Sequence, residues 1–585
     1  MTLAGSSASG SPDLRPGAAA AAGAPLRLGP AAAGRCRRRV HLDADPNAPR
    51  LLRSPTDDGL RLRLSDGDAH RVEVLDTLRA VLGEQVDPWD PSGPERPPVV
   101  FGPALRSDTR FGSPDLLIWV GDGYRPVIIR AHRTTDPGSG ALTAPLEDPL
   151  AIAPNPLRKS RAHAADTLAL AHFHRLLGDL GLAGSQAFGA VLGRGGSTSA
   201  SVDRPGASPP EGAAAARGIA DRMGGDAGIL LWHQLDVPGA SVLADYDLRF
   251  HDRLLVAAAA ASGGPPLALP SRIGECRRCA WWPVCSAQLL AARDVSLIAA
   301  GGDVDVLHAA GVRTVDDLAG MSGQVASALP LTGMDPGAAR VRARAWLAGL
   351  ALVRRTDEVL VRRADLELDV DMESFLEDGA YLWGTYLTGP AVESLRLQSG
   401  YRAFVSWKPL PDADEGRAFA QFWSYLSELR AIAAAHGLTF AAYCYSRSAE
   451  ERWLRSTPLR YPDVAGMPTP AQITEFCASE EWVDIYQEIR DQFIVPGSMK
   501  LKVLAPIAGF SWRDPEPGGE NSMAWYRLAV DAPGILRPDG QPVNREMADR
   551  ILRYNEDDVL ATLALRRWMT ERSGEIPTVA EIDRD

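Results

Sequence analysis

The sequence predicts an α/β protein of several domains, and three observations carry that expectation. The chain has 585 residues, more than one hydrophobic core fills, so two or three domains are expected. Its hydrophobic content of 45% and charged content of 23% are those of an ordinary folded chain. The C-terminal block opens with three strand-like runs and then alternates helix and strand, the pattern of a mixed sheet covered by helices.

Bulk properties narrow the function classes. A formal charge of −12 carries no signature of nucleic-acid binding, which would have to rest on local basic patches. No run of about 18 apolar residues occurs, so no membrane span is expected. Residues 1–34 are rich in Ala, Gly, Pro and Ser, with no basic stretch ahead of an apolar block. They are expected to form a disordered tail and not a secretory signal. The expected compartment is then the cytoplasm, where structural disulfides are rare, so the six cysteines need another explanation.

Residues 35–290 mix helical and strand patterns, with a loop-like break at Arg194–Ala214. Residues 291–352 read as short helices. There "DVDVLHAAGVRTVDDLAGM" supplies a helix, a stop at Gly311, a cap at Thr314 and a second helix. Residues 353–572 hold strand-like runs at Leu366–Met372, Ala380–Leu387 and Arg402–Trp407. A helix at Phe419–Ala435 stops near Gly437, a strand follows at Leu438–Tyr445, and a helix from Asn544 to Glu571 closes the block. Residues 573–585 form a short tail.

The first of those strands, "DLELDVDMES", alternates Leu366, Leu368, Val370 and Met372 with Glu367, Asp369, Asp371 and Glu373. Alternation sends the two sets to opposite faces of a sheet. Four acids on one face repel one another, so that face is either solvated or holds something positive. Far downstream, "YNEDDVLATLALRRWM" sets Tyr554 and Asp558 four apart, on one side of a helix.

The other chemical signal is "CRRCAWWPVC", in which Cys276, Cys279 and Cys285 make a C-x2-C-x5-C cluster. Three thiols so close point to a metal centre that needs a fourth ligand, and spacing alone leaves zinc and iron–sulfur both open. Cys444 and Cys477 lie in apolar segments and read as core residues.

With one cysteine early in the block and three late, residues 35–290 resemble the RecB-like nucleases that carry an iron–sulfur staple. The resemblance implies a restriction-endonuclease-like fold, with Cys36 as fourth ligand of a [4Fe–4S] cluster, or of Zn2+ in the alternative. It also implies a PD-(D/E)xK site. His70 matches the upstream His, and Asp115 in "FGSPDLLIWV" matches the strand-entry acid. The next strand, "YRPVIIRAHR", places Ile128 and Ile129 ahead of Arg130, where the family has (D/E)-x-K. Ile128 cannot ligate a cation, and a lone Asp115 is poor at holding Mg2+. The site is therefore expected to be degenerate, in a domain that keeps its fold and nucleic-acid contact.

Residues 291–352 resemble a helix–hairpin–helix element, which touches phosphates through backbone N–H groups. A D-x-E strand followed by Tyr-x3-Asp on a late helix resembles the tyrosine-bearing DEDD exonucleases, nearest the YprB-type ribonuclease H-like domain. That resemblance implies metal ligation by Asp371, Glu373 and Asp558, water positioning by Tyr554, and two Mg2+ or Mn2+ ions. For the second DEDD acid the chain offers Glu450, with Glu451 next. Glu367 and Asp369 are expected to be solvated neighbours, Asp484 is an unassigned acid, and Lys500 and Lys502 read as surface lysines.

The resulting expectation is a 3′→5′ exonuclease acting on DNA or RNA that is single-stranded or has a 3′ end, with a helicase as a partner. The alternative is a non-catalytic nucleic-acid-binding scaffold of DNA repair or RNA processing.

Overall fold

The computed structural model describes residues 25–56, 58–82, 89–146, 148–194, 229–515, 518–530 and 544–584. Residues 1–24 of the expected tail and 195–214 of the loop-like break lie outside the described residues. The chain divides into two compact units, residues 1–55 with 65–288, and 56–64 with 289–585.

Seven strands form the sheet of the first unit: β1 Val99–Phe101, β2 Leu116–Trp119, β3 Tyr124–Ile129, β4 Ala141–Pro145, β5 Ala153–Asn155, β6 Phe188–Leu192 and β7 Ile229–Gln234, in the order β1-β2-β3-β6-β7-β4-β5. The β3–β6 pair is parallel. A strand inside a covered sheet reads as a continuous apolar run, and "VII" at the end of β3 is one. Leu117, Ile128 and Val191 pack on one face against Leu170, Phe173 and Leu177 of the helix α3, Ala164–Asp179. Val127, Ile129 and Leu230 pack on the other against Val74 and Leu78 of α2, Asp58–Leu82. Two further helices, α1 Arg37–Ala44 and α4 Val242–Ala261, belong to the same unit.

One expectation about the tail is corrected here. Residues 25–34 are ordered, with Leu28 N–H bonded to the Thr109 carbonyl and Ala33 fully buried. Leu26 and Leu28 find an apolar seat against Val40, Val256 and Ala257, which their polar-looking surroundings in sequence conceal.

The second unit contains a five-stranded sheet: β8 Leu366–Phe375, β9 Gly379–Thr388, β10 Gly400–Val405, β11 Phe440–Cys444 and β12 Trp482–Asp484. Its order is β10-β9-β8-β11-β12. The first three strands pair antiparallel, and β8–β11 and β11–β12 pair parallel. Leu366, Leu368 and Val370 pack with Phe419, Phe422 and Leu426 of the helix α5, Ala413–Ala435, where Trp383 stacks on Phe422 at 4.7 Å. Gly437, at φ +66°, ends that helix in the left-handed conformation that glycine adopts without strain. The acid-bearing face of β8 is covered by α6, Arg545–Glu571, capped by Asn544 and buried along most of its length.

Residues 289–352 cluster with this second unit. Gly302–Ala309 and Val315–Gly320 are helices there, with Gly311 at φ +81° and a capping box between Thr314 and Asp317. Residues 573–584 carry the short helix Val579–Ile582, and Arg340 bonds to Asp583 at 2.8 Å. Among the described residues no helix is long and apolar enough to cross a membrane.

Candidate active site

Asp371 and Glu373 leave β8 on one face, two residues apart, and α6 brings Asp558 to meet them. One oxygen of each carboxylate lies within 4.8 Å of the other two. Glu373 and Asp558 are buried, while Asp371 keeps an edge open to solvent. Each acid also has one oxygen held by a neutral donor, leaving the second for a ligand. Asn555 Nδ2 donates to Asp371 Oδ2 at 2.7 Å, Ser522 Oγ to Glu373 Oε2 at 2.6 Å, and Trp512 Nε1 to Asp558 Oδ1 at 2.6 Å. Such hydrogen bonds lock carboxylate rotamers in the way metal sites require.

Backbone chemistry makes room for this arrangement. Gly384 stands directly across from Asp371 in the β8–β9 register. A Cβ there would come within 1.6 Å of Asn555 Oδ1. Only glycine lets Asn555 pass over the sheet to Asp371, while the same amide oxygen accepts from Tyr401 Oη at 2.8 Å.

Crowded, buried carboxylates resist ionisation. Burial, and then the charges of Asp558, Glu373 and Glu450, push Asp371 well above the carboxylate range. Burial and Asp558 raise Glu373 to about 8. Burial raises Asp558 as well, opposed by Lys502. The cluster thus lacks positive charge, and a divalent cation would supply it.

Tyr554 is 2% exposed, and its hydroxyl accepts from Lys502 Nζ at 2.6 Å. Burial and the nearby Asp558 hold the phenol above its usual range, so it stays protonated and able to donate. Glu450 lies on the first turn of the helix Ser448–Arg460, outside the 4.8 Å group. It is 4% exposed, Oε2 has no partner among the described residues, and burial raises it to about 8. Glu451 pairs instead with Arg447 and Arg455. Asp484 caps a helix, accepting from Tyr486 N at 3.0 Å and Ser446 N at 3.1 Å.

The expectation that Glu367 and Asp369 are solvated is corrected by their burial at 0% exposure. Arg566 of α6 bonds Asp369 through Nε and a terminal nitrogen, both at 2.7 Å, and Glu367 at 2.9 Å. Its guanidinium lies 3.9 Å from the Tyr443 ring centroid. The acid face of β8 therefore splits in two, one half neutralised by Arg566 and the other left for a cation.

Sequence reasoning missed four partners. Asn555 sits inside the "YN…DV" signature and was legible there, and Lys502 passed as a surface lysine. Ser522 and Trp512 carry no local signal.

A family model of the RNase H superfamily matches residues 460–570. The second unit carries a ribonuclease H-like domain. The match takes in Lys502, Trp512, Tyr554, Asn555 and Asp558, and ends short of β8 on the N-terminal side. No curated protein and no solved structure matches the chain.

In the first unit, the residues of the expected degenerate site have partners of their own. Asp115, 4% exposed, accepts from Ile129 N at 2.6 Å and is bonded by Arg71 Nε. Arg130 donates to Asp166 Oδ1 at 2.7 Å. His70 is buried, which pulls it down to about 4 and keeps it neutral. An arginine thus occupies the carboxylate that would hold a cation.

Cys36, Cys276, Cys279 and Cys285 line one pocket, although Cys36 is far from the others in sequence. Glu275 holds the two ends together, accepting from Cys36 N at 2.6 Å and from Arg39 at 2.8 Å. All four cysteines are unpaired thiols, and burial pushes Cys285 up to about 11. No three of the four sulfurs lie within 4.8 Å of one another.

Proposed function

We propose that the ribonuclease H-like domain hydrolyses phosphodiester bonds as a 3′→5′ exonuclease on DNA or RNA, with two Mg2+ or Mn2+ ions. One observation carries the reading: Asp371 and Glu373 from the first strand and Asp558 from the last helix meet within 4.8 Å. These three are the ligands, and Glu450, with an unpartnered buried oxygen, is the acid for the second ion. Divalent cations at such a site lower the pKa of bound water and offset charge on the leaving oxygen. The chain supplies the rest. Tyr554, protonated and held by Lys502, donates to the attacking water and orients it, while the Lys502 charge faces the incoming phosphate.

The test is cleavage of end-labelled single strands of DNA and RNA by the full chain with Mg2+ or Mn2+. Shortening from the 3′ end, blocked by a modified 3′ terminus and abolished by Asp371→Asn, supports the reading. Shortening from the 5′ end would refute the polarity. A second reading, a non-catalytic nucleic-acid-binding scaffold, draws support from Glu450 lying outside the 4.8 Å group, and it requires binding with no cleavage under any cation.

The first unit, in this reading, is a catalytically degenerate nucleic-acid-binding domain stapled by a [4Fe–4S] cluster on its four thiols. A single zinc ion, at Zn–S of about 2.3 Å, needs thiolates within about 4 Å of one another, closer than these stand. Iron and acid-labile sulfide in anaerobically purified protein support the cluster, and stoichiometric zinc without sulfide overturns it.

A further inference from the structure

Asp166, in the first turn of α3, lies beside two imidazoles. His163 caps the same helix, three residues earlier, and so meets Asp166 on one side of it. His132 comes from the turn after β3, which is held in place by Arg194 N–H on the His132 carbonyl at 3.1 Å and Arg161 N–H on the Thr134 carbonyl at 2.9 Å. One ligand atom from each of the three lies within 4.8 Å of the other two. His132 Nε2 is 2.8 Å from Asp166 Oδ2, and the two imidazole centroids are 4.0 Å apart.

We propose that His132, His163 and Asp166 bind a first-row divalent cation of the zinc class. The site is separate from the cysteine pocket and from the acids of the ribonuclease H-like domain. Two imidazole nitrogens and one carboxylate are donors that zinc-class ions favour over Mg2+ or Ca2+. The outer contacts already orient the ligands. Arg130 holds Asp166 Oδ1 at 2.7 Å, which turns Oδ2 toward the histidines. His163 Nε2 reaches the Arg133 carbonyl at 3.3 Å, which leaves Nδ1 carrying the lone pair a cation needs. Asp166 is 4% exposed, whereas both histidines are half-buried. Three protein ligands and an open side leave a fourth position for water, the arrangement of reactive and not of purely structural zinc. Arg130 opposes the cation with its own charge, so binding is weaker than at a thiolate site.

The experiment uses the full chain and Zn2+ alone. Zinc per chain is measured after dialysis for wild type, His132→Ala, His163→Ala and Asp371→Asn, with circular dichroism to verify the fold of each. Zinc-loaded crystals of the wild type are then examined by anomalous diffraction at the zinc edge. The proposal requires an anomalous peak between the three side chains, loss of one zinc equivalent in each histidine variant, and no loss in Asp371→Asn. Absence of that peak, or equal zinc in wild type and both histidine variants, overturns it. Neither result depends on nuclease activity.

Discussion

Arg566 grips Asp369 through two hydrogen bonds of 2.7 Å, with neither side chain exposed. Removing one partner of such a pair strands a buried charge, which costs roughly 3–5 kcal/mol. Arg566→Leu strands Glu367 as well and is expected to lower unfolding free energy by at least that range in urea titrations. Replacing Glu367, Asp369 and Arg566 together with apolar residues of similar size should recover most of the loss. A single variant within about 0.5 kcal/mol of wild type would refute the account.

Gly384→Ala tests the path of Asn555 to Asp371. The new Cβ meets Asn555 Oδ1 at 1.6 Å, so the amide must leave Asp371. Nuclease turnover and Mn2+-induced thermal stabilisation should both fall, by tenfold or more in turnover, because a ligand has lost its orienting bond. Wild-type Mn2+ affinity in Gly384→Ala would show that Asn555 is not needed.

The buried acids set a pH dependence whose sign is fixed. Burial raises Glu373 and Glu450 from 4.5 to about 8 in the folded chain. Between those values the folded state holds protons that the unfolded state has released, so their contribution to stability is full below 4.5 and is lost as pH rises to about 8. A bound cation displaces those protons. Thermal melts in EDTA should show the decline, and Mn2+ should raise Tm more at about pH 8 than at about pH 6. A cation effect that is flat with pH would contradict this.

Tyr554→Phe removes a donor and no ligand. Turnover is expected to fall roughly 10²-fold, the scale of one positioned proton donor, with Mn2+ stabilisation intact. Lys502→Met should give a smaller loss in kcat together with a raised KM for nucleic acid. Loss of Mn2+ binding in Tyr554→Phe would make the tyrosine structural instead.

How much was legible follows from which interactions are local. Strand alternation is a property of neighbouring residues, so the two faces of β8 and the pair Asp371 and Glu373 could be read directly. The Tyr554–Asp558 spacing is likewise one turn of helix, and the Gly311–Thr314 stop and cap are backbone chemistry. The fate of Glu367 and Asp369 was not readable, because their neutralising charge lies on Arg566, some 200 positions away at 197 and 199 residues.

The sequence by itself determined the strand and helix periods, the acids that share a face, the three clustered cysteines and the loss of an acid at Ile128. Tertiary structure alone decided which acids meet a cation and which meet an arginine. It alone set Lys502 on Tyr554, Asn555 on Asp371 through the space at Gly384, and His132 beside His163 and Asp166. The physical reason is range. Periodicity and caps act over a few residues, whereas desolvation and Coulomb pairing act through space, between groups whose proximity only the folded chain creates.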